Sequence, residues 1–301
     1  MNRAFRVAYD GRPYYGFQRQ PDVPTVEDAL FDALRAFDVF ADDAADAADA
    51  ADAEDAEDVT DTDAEGPDRP QGYAAAGRTD AGVSARAQTV AFDAPEWLTP
   101  RALNAELPAS IRVWASAEVG SEFHATHDAS ERTYVYHLYA PQEPTTTHGG
   151  FDDDRARATL DRLAGEHDFH NLTPDESGTI RDLSVSAERD GAFLVITLKA
   201  GGFARQLVRR VVGLVAEVGC GESDPSKVGR VLASDPLDGP EGVPPAPAEA
   251  LVLWDVAYPE VAFTVDGEAA ESARAVFGES RVDHATAARV TGSIEGGLDG
   301  R

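Results

Sequence analysis

The stretch AAAGRTDAGVSARAQTVAF, residues 74–92, sets one carboxylate, Asp80, in a turn bracketed by Gly77 and Gly82. Asp80 stands two residues after Arg78 and just before an alternating, strand-like run. Glycine lets a backbone turn sharply and come close to a ligand, and arginine offers a planar fork suited to phosphate or carboxylate. The chain holds 55 acidic residues, so one aspartate carries little weight by itself. On local features two readings of Asp80 are open. It organises the turn by accepting backbone hydrogen bonds, the commoner use of aspartate in turns, or the turn exists to present its carboxylate.

GYAAAG (72–77) and ARAQTVAF (85–92) read as strands on either side of this turn. Upstream, RAFRVAYD (3–10) alternates as a first strand. Thr25 with Asp28 makes an approximate capping box, and Ala29, Leu30, Ala33, Leu34 and Phe37 recur at helical spacing, which predicts a helix over 25–38. Downstream, Thr99-Pro100 opens a short helix through Leu107. Strands are expected at 111–119, 131–140, 181–189, 192–200 and in ALVLWDVAY (250–258), with helices near 152–165, at 203–218 and from Pro225. Strands and helices mix without strict βαβ alternation, so the expected class is α+β with an antiparallel or mixed sheet. Residues 261–301 are small, polar and weakly periodic, and read as a mobile tail with at most one short helix.

Length and composition allow one large domain or two smaller ones, since 43% of 301 residues are hydrophobic. The N-terminal MNRAFRVAYDG lacks the apolar core of a signal peptide, and the longest apolar run, near VVGLVAEV, is too short to span a bilayer. The expectation is a soluble, cytoplasmic protein. Cys220 is the only cysteine, which excludes an intrachain disulfide and a thiolate metal cluster.

A formal charge of −29 would ordinarily argue against a polyanionic partner. Residues 42–68 hold thirteen acidic and no basic residues, yet the rest still carries 42 acidic against 26 basic. Only Lys199 and Lys227 are lysines, leaving 24 arginines. This is the lysine-poor, acid-rich pattern of a protein that works in molar salt, where the Debye length falls to about 3 Å and short-range arginine contacts decide binding. The acidity therefore does not exclude RNA. Ala41 to Pro70 forms a low-complexity acidic insert with almost no side chains to bury, and reads as disordered.

Four other segments carry candidate chemistry. In ERTYVYHLY (131–139), Tyr134, Tyr136 and Leu138 face one way at strand spacing, either to fill a sheet core or to stack on a base. In GGFARQLVRRVVGLVAEVG (201–219), Phe203, Leu207, Val208, Val211, Val212, Leu214, Val215 and Val218 share a broad apolar face. Arg205 and Arg209 lie one turn apart on the other side, to meet phosphate, to hold a carboxylate, or as a solvated face. HDFH (167–170) has His-x-x-His spacing but no third ligand nearby, so no metal site is expected. YDGRPYYGFQRQPDVPTV (9–26) mixes aromatics with Arg19, Gln20 and other polar groups, and suits RNA contact or an ordinary ordered loop.

Together these segments resemble the TruA family of tRNA pseudouridine synthases. YDGRPYYGFQRQ (9–20) is similar to that family's YDG-x-x-Y-x-G-W-Q-R-Q, and AGRTDAGVSA (76–85) to its catalytic loop. LNAELPASIRV (103–113) and FHATHDASERTYVY (123–136) resemble its central strands, GEHDF (165–169) a later loop, GFARQLVRRVVGLVAEVG (202–219) its arginine-bearing helix, and APAEALVLWDVAYP (246–259) its closing strand. The resemblance implies a pseudouridine synthase fold, with two α+β subdomains sharing a mixed or antiparallel sheet and a central active-site cleft. The first subdomain would take 1–40 and 71–125, the second 126–260, with the acidic insert at 41–70.

It further implies that Asp80 is the nucleophile, that Arg78 helps flip and hold the target nucleotide, that Tyr134 stacks on the uracil and that Arg209 pairs with Asp80. Leu251 would line the uracil pocket, with Arg205, Arg19 and Gln20 among the substrate contacts. The implied reaction is isomerisation of uridine 38, 39 or 40 in the anticodon arm of tRNA, without metal or cofactor, by a homodimer whose two subunits touch one RNA. Phe17 stands where the family has Trp, Ser84 where His is frequent, and Ala250 where Gly is common. The reaction breaks a C–N glycosidic bond, turns the uracil and joins its C5 to the ribose. An ionised aspartate can assist by attacking the sugar or the base, or by removing a ribose proton, and a neighbouring arginine favours its charged form. Unstacking the target costs a few kcal/mol, which Tyr134 would offset; its hydroxyl is a candidate for the C5 proton step.

Overall fold

A computed structural model describes residues 1–37, 39, 69–145, 147–237 and 242–298. The acidic insert expected at 41–70 therefore lies outside the described residues, apart from Arg69 and Pro70. The strands are β1 (Asn2–Tyr9), β2 (Ala74–Ala75), β3 (Ser84–Asp93), β4 (Ile111–Glu118), β5 (Glu131–Tyr139), β6 (Gly165–Asp168), β7 (Ile180–Asp190), β8 (Phe193–Ala200), β9 (Leu251–Ala257) and β10 (Thr264–Val265). The helices are α1 (Val26–Arg35), α2 (Pro100–Glu106), α3 (Asp153–Leu163), α4 (Leu207–Gly219), α5 (Lys227–Val231) and α6 (Gly267–Gly297).

One sheet runs β10-β4-β1-β3-β9-β5-β8-β7-β6, with β2 paired to β3. The class is α+β with a mostly antiparallel sheet, as expected. Among the described residues one pairing is parallel: Ser84 and Ala85 of β3 lie opposite Val252 and Leu253 of β9. This short pairing joins the two halves of the sheet. On one side Phe5, Val7 and Tyr9 of β1 pack with Leu30 and Leu34 of α1 and Leu103 of α2. On the other Tyr136, Ile196 and Leu198 pack with Leu160 of α3 and Val211 and Val215 of α4. β9 serves both cores, giving Leu253 to the first and Leu251 to the second. The helices therefore cover one face of the sheet and leave a cleft between their two groups.

Local sequence explains most element ends. Thr25 caps α1 by accepting from Asp28 N, and Thr99 caps α2 by accepting from Ala102 N, with Pro100 in the first turn. Three elements differ from expectation. α4 begins at Leu207, not at 203, because Gln206 takes φ +59° and Phe203 leaves the helix line to set its ring edge-on to Tyr134, 5.1 Å away. The GEHD segment, read as loop, is the edge strand β6, paired with β7. The tail expected over 261–301 contains a helix of 31 residues, α6. It is anchored by Asp266, which accepts from Ala269 N, and by an Arg101–Glu268 ion pair of 2.5 Å. Only Ala269, Ala270 and Ala273 are buried in it, and three alanines give no visible apolar period. Among the described residues no helix is long and apolar enough to cross a membrane.

Candidate active site

Because β3 and β9 run parallel, their first residues stand side by side, and the loop before each strand arrives at the same place. Asp80 lies four residues before β3; Leu251, 4% exposed, opens β9. The Asp80 loop is built by its main chain. Val83 N donates to Asp80 O at 3.1 Å, and Gly82, with φ +83°, donates to Tyr14 O at 3.2 Å. Thr79 O accepts from Phe17 N at 3.1 Å, and the Tyr9 hydroxyl meets Thr79 Oγ1 at 2.8 Å. Gly16 has φ +105°, and a Cβ there would stand 2.8 Å from Thr79 O, so the 9–20 loop can seat on the Asp80 loop only with glycine at that position. Ser84 Oγ accepts from Gly11 N at 3.0 Å, and Phe17 is buried against Tyr9.

The turn is thus held without the Asp80 side chain. Among the described residues its carboxylate accepts from one donor: Arg209 Nη1 reaches Asp80 Oδ2 at 2.9 Å. The Arg209 side chain is 16% exposed and that of Asp80 32%, so the pair is a charge-assisted contact partly shielded from water. Arg209 is itself tethered. Its Nε donates to Ala246 O at 2.8 Å, and Ala246 N donates back to Arg209 O at 2.9 Å.

Tyr134 and Tyr136 project from β5 on the same face as Leu251 and Leu253, with Tyr134 opposite Leu253 and Tyr136 opposite Leu251. Burial pushes the Tyr134 hydroxyl up to about 12; Arg132 pulls it down and Asp80 adds to the rise. The phenol therefore stays protonated through neutral pH and can stack or donate, but is a poor acceptor for a C5 proton.

These groups border a cleft of about 740 Å³ that includes Arg78, Asp80, Tyr134, Arg205, Arg209 and Leu251. Arg78 is exposed on its wall. Arg205 lies outside α4 and is engaged by Asp175, which accepts its backbone N at 2.7 Å and stands 3.4 Å from its Nε. Arg19 and Gln20 are not brought to the cleft. Arg19 Nε donates to Asp28 Oδ1 at 2.8 Å, and Gln20 Nε2 to Tyr15 O at 2.7 Å. Among the polar lining residues that sequence reading did not assign are His124, His127, Asp175 and Gln206. Three of them lie inside or beside segments already singled out, FHATHD and GGFARQ, where an unassigned polar side chain next to a functional motif was the available signal. Among the described residues no group of three His, Cys, Asp or Glu side chains is placed to hold a metal ion.

The one parallel seam found among the described residues thus sets an aspartate–arginine pair in the cleft above a continuous sheet. The family model for tRNA pseudouridine synthase matches residues 160–259. The chain is 56% identical to tRNA pseudouridine synthase A of Haloarcula marismortui over 98% of this chain and 100% of that protein. It is 56% identical to the protein of the same name from Halobacterium salinarum, over 97% of this chain and 98% of that one. For Thermococcus kodakarensis the identity is 32%, over 91% of each. The chain belongs to the tRNA pseudouridine synthase A family.

Proposed function

We propose that this protein isomerises uridine to pseudouridine at positions 38, 39 and/or 40 of the tRNA anticodon arm, with Asp80 as nucleophile. The observation that carries the assignment is the Asp80 carboxylate itself, free of any turn-holding bond and met by the tethered Arg209 at 2.9 Å. Arg209 holds the carboxylate in position with a charge-assisted hydrogen bond. Asp80 then assists departure of the uracil from C1′. The base turns, C5 bonds to C1′, the C5 proton leaves and N1 takes up a proton, so atoms balance with no cofactor. Arg78, on the exposed wall, takes the flipped nucleotide's backbone. Tyr134 stacks on the uracil and Leu251 closes the apolar side of its pocket. Stacking on one ring is worth about 1–3 kcal/mol, comparable to the cost of taking a base from its stack.

Two copies acting on one tRNA is the further reading that the family resemblance supports, and a sedimentation mass of two chains in molar KCl checks it. The function is tested by incubating the purified protein with an unmodified tRNA transcript bearing uridine at 38, 39 and 40, then mapping pseudouridine by mass spectrometry. Pseudouridine confined to those positions is expected. None, or pseudouridine only elsewhere in the molecule, refutes the assignment.

A further inference from the structure

Gln206 stands where α4 begins, with φ +59° and ψ +3°, in the left-handed region that a glutamine seldom occupies. Helices usually start from extended backbone, with a short polar side chain bonded to the first-turn amides. Gln206 departs on both counts, since its side chain makes no cap bond. Residues held in such conformations cluster at ligand sites, where the surrounding structure over-determines them. This one lines the cleft that contains Asp80, Tyr134 and Leu251.

Its one hydrogen-bond partner among the described residues fixes which way the amide points. Arg210 Nη2 donates to Gln206 Oε1 at 3.2 Å, and Arg210 Nη1 is held by Val243 O at 2.7 Å. A guanidinium can only donate, so it selects the amide oxygen and turns the NH₂ group the other way. Gln206 lines the cleft, and its NH₂ group carries two N–H donors that no described residue accepts. Charge for a phosphate is already supplied nearby by Arg78 and Arg205. A neutral donor of fixed direction matches a neutral carbonyl, and uracil carries two, O2 and O4, whereas cytosine replaces O4 with an amino group that would repel it.

We infer that Gln206 is a substrate-recognising residue of this site, its Nε2 donating to a carbonyl oxygen of the target uracil. The inference rests on the pseudouridine synthase reading above. The left-handed backbone then has a use: it ends the helix, on its N-terminal side, at a residue that borders the cleft.

The test is a cycle between enzyme and substrate. Wild type and Q206M, which keeps the length but removes the donor, are assayed on anticodon-arm RNA carrying uridine, 2-thiouridine or 4-thiouridine at the target; sulfur is the weaker acceptor. Q206G, which relieves the left-handed conformation, is run beside them with its melting temperature. Q206M should lower kcat/KM on uridine about three- to tenfold, the range of one neutral hydrogen bond. Q206G should melt at or above the wild-type temperature and lose as much rate, separating recognition from folding. One of the two thio substitutions should slow the wild type severalfold and Q206M less than twofold. Rates for either variant within twofold of wild type, or no thio penalty that Q206M abolishes, overturn the inference. Wild-type turnover on uridine is the control: without it the underlying function fails as well, whereas turnover without coupling defeats this assignment alone.

Discussion

Gly213→Ala tests how the arginine that meets Asp80 is held. Gly213 is buried in α4, one turn beyond Arg209 on the same side. A Cβ built there would stand 2.3 Å from Pro244 O and 3.4 Å from Val243 Cγ1. A carbon–oxygen contact needs roughly 3.3 Å, so the 243–246 segment must retreat by about 1 Å. That segment carries Ala246, which tethers Arg209 by two hydrogen bonds of 2.8 and 2.9 Å. Replacing glycine gains about 1 kcal/mol of helix propensity. Against this stand about 1–3 kcal/mol of overpacking and weakening of two bonds worth about 1 kcal/mol each. The net expectation is a loss of roughly 2–3 kcal/mol, together with a slower reaction in the protein that remains folded. The assay is urea denaturation in molar KCl beside single-turnover rates, with Gly278→Ala as control. Gly278 lies in α6 with nothing within 4 Å of an added Cβ, so that variant should be neutral or stabilised by up to about 1 kcal/mol. A Gly213→Ala protein as stable as wild type would refute the packing argument, and a destabilised one with an intact rate would refute the tether.

Arg209→Lys keeps the charge, but a single ammonium cannot reproduce the fork that meets Asp80 and Ala246 O together; turnover should fall by about tenfold or more while RNA binding, read by filter retention, changes little. Tyr134, Tyr136 and Tyr258 are each pushed up to about 12 by burial, so the folded state holds their protons more tightly than the unfolded chain does. Their contribution is intact below about pH 10, the ordinary tyrosine value, and is lost as pH rises toward 12. Melting temperature should therefore drop steeply across that window, and Tyr134→Phe should soften the drop; a flat profile from pH 9 to 12 contradicts the burial of these phenols. With a formal charge of −29, melting temperature and RNA affinity should both fall as KCl is lowered from molar to dilute, because carboxylate repulsion is unscreened. Salt-independent melting would remove the halophilic reading of the composition.

What could be read from the chain was local. Thr25 and Thr99 announce the helices they cap, and β8 shows the alternation of a half-buried strand, whereas β1 and β3 are buried on both faces over most of their length. The long-range geometry had no such signal. Asp80 and Arg209 are 129 residues apart, and their meeting depends on a parallel contact of two residue pairs between β3 and β9, too short to leave a pattern. Without the family resemblance, Asp80 would have stayed a turn residue, the reading that the main-chain bonds of residues 79–83 displace. Gln206 was hidden because a left-handed residue leaves no mark on hydrophobic periodicity, so α4 was extended through it. α6 was hidden because its contact face is alanine.

The central claim is that the Asp80 carboxylate attacks, and Asp80→Asn tests it most directly. Asparagine keeps the size, leaves the main-chain bonds of the turn untouched and can still accept from Arg209 Nη1, yet lacks the charged oxygen. Anticodon-arm RNA with tritium at uridine C5 reports the chemistry, since the label reaches water only when C5 has bonded to the ribose. Filter binding on the same RNA reports recognition. Binding within a few-fold of wild type with tritium release at background is the predicted result. Substantial release by a folded, RNA-binding Asp80→Asn protein, with reversion to aspartate by deamidation excluded by mass, would contradict it.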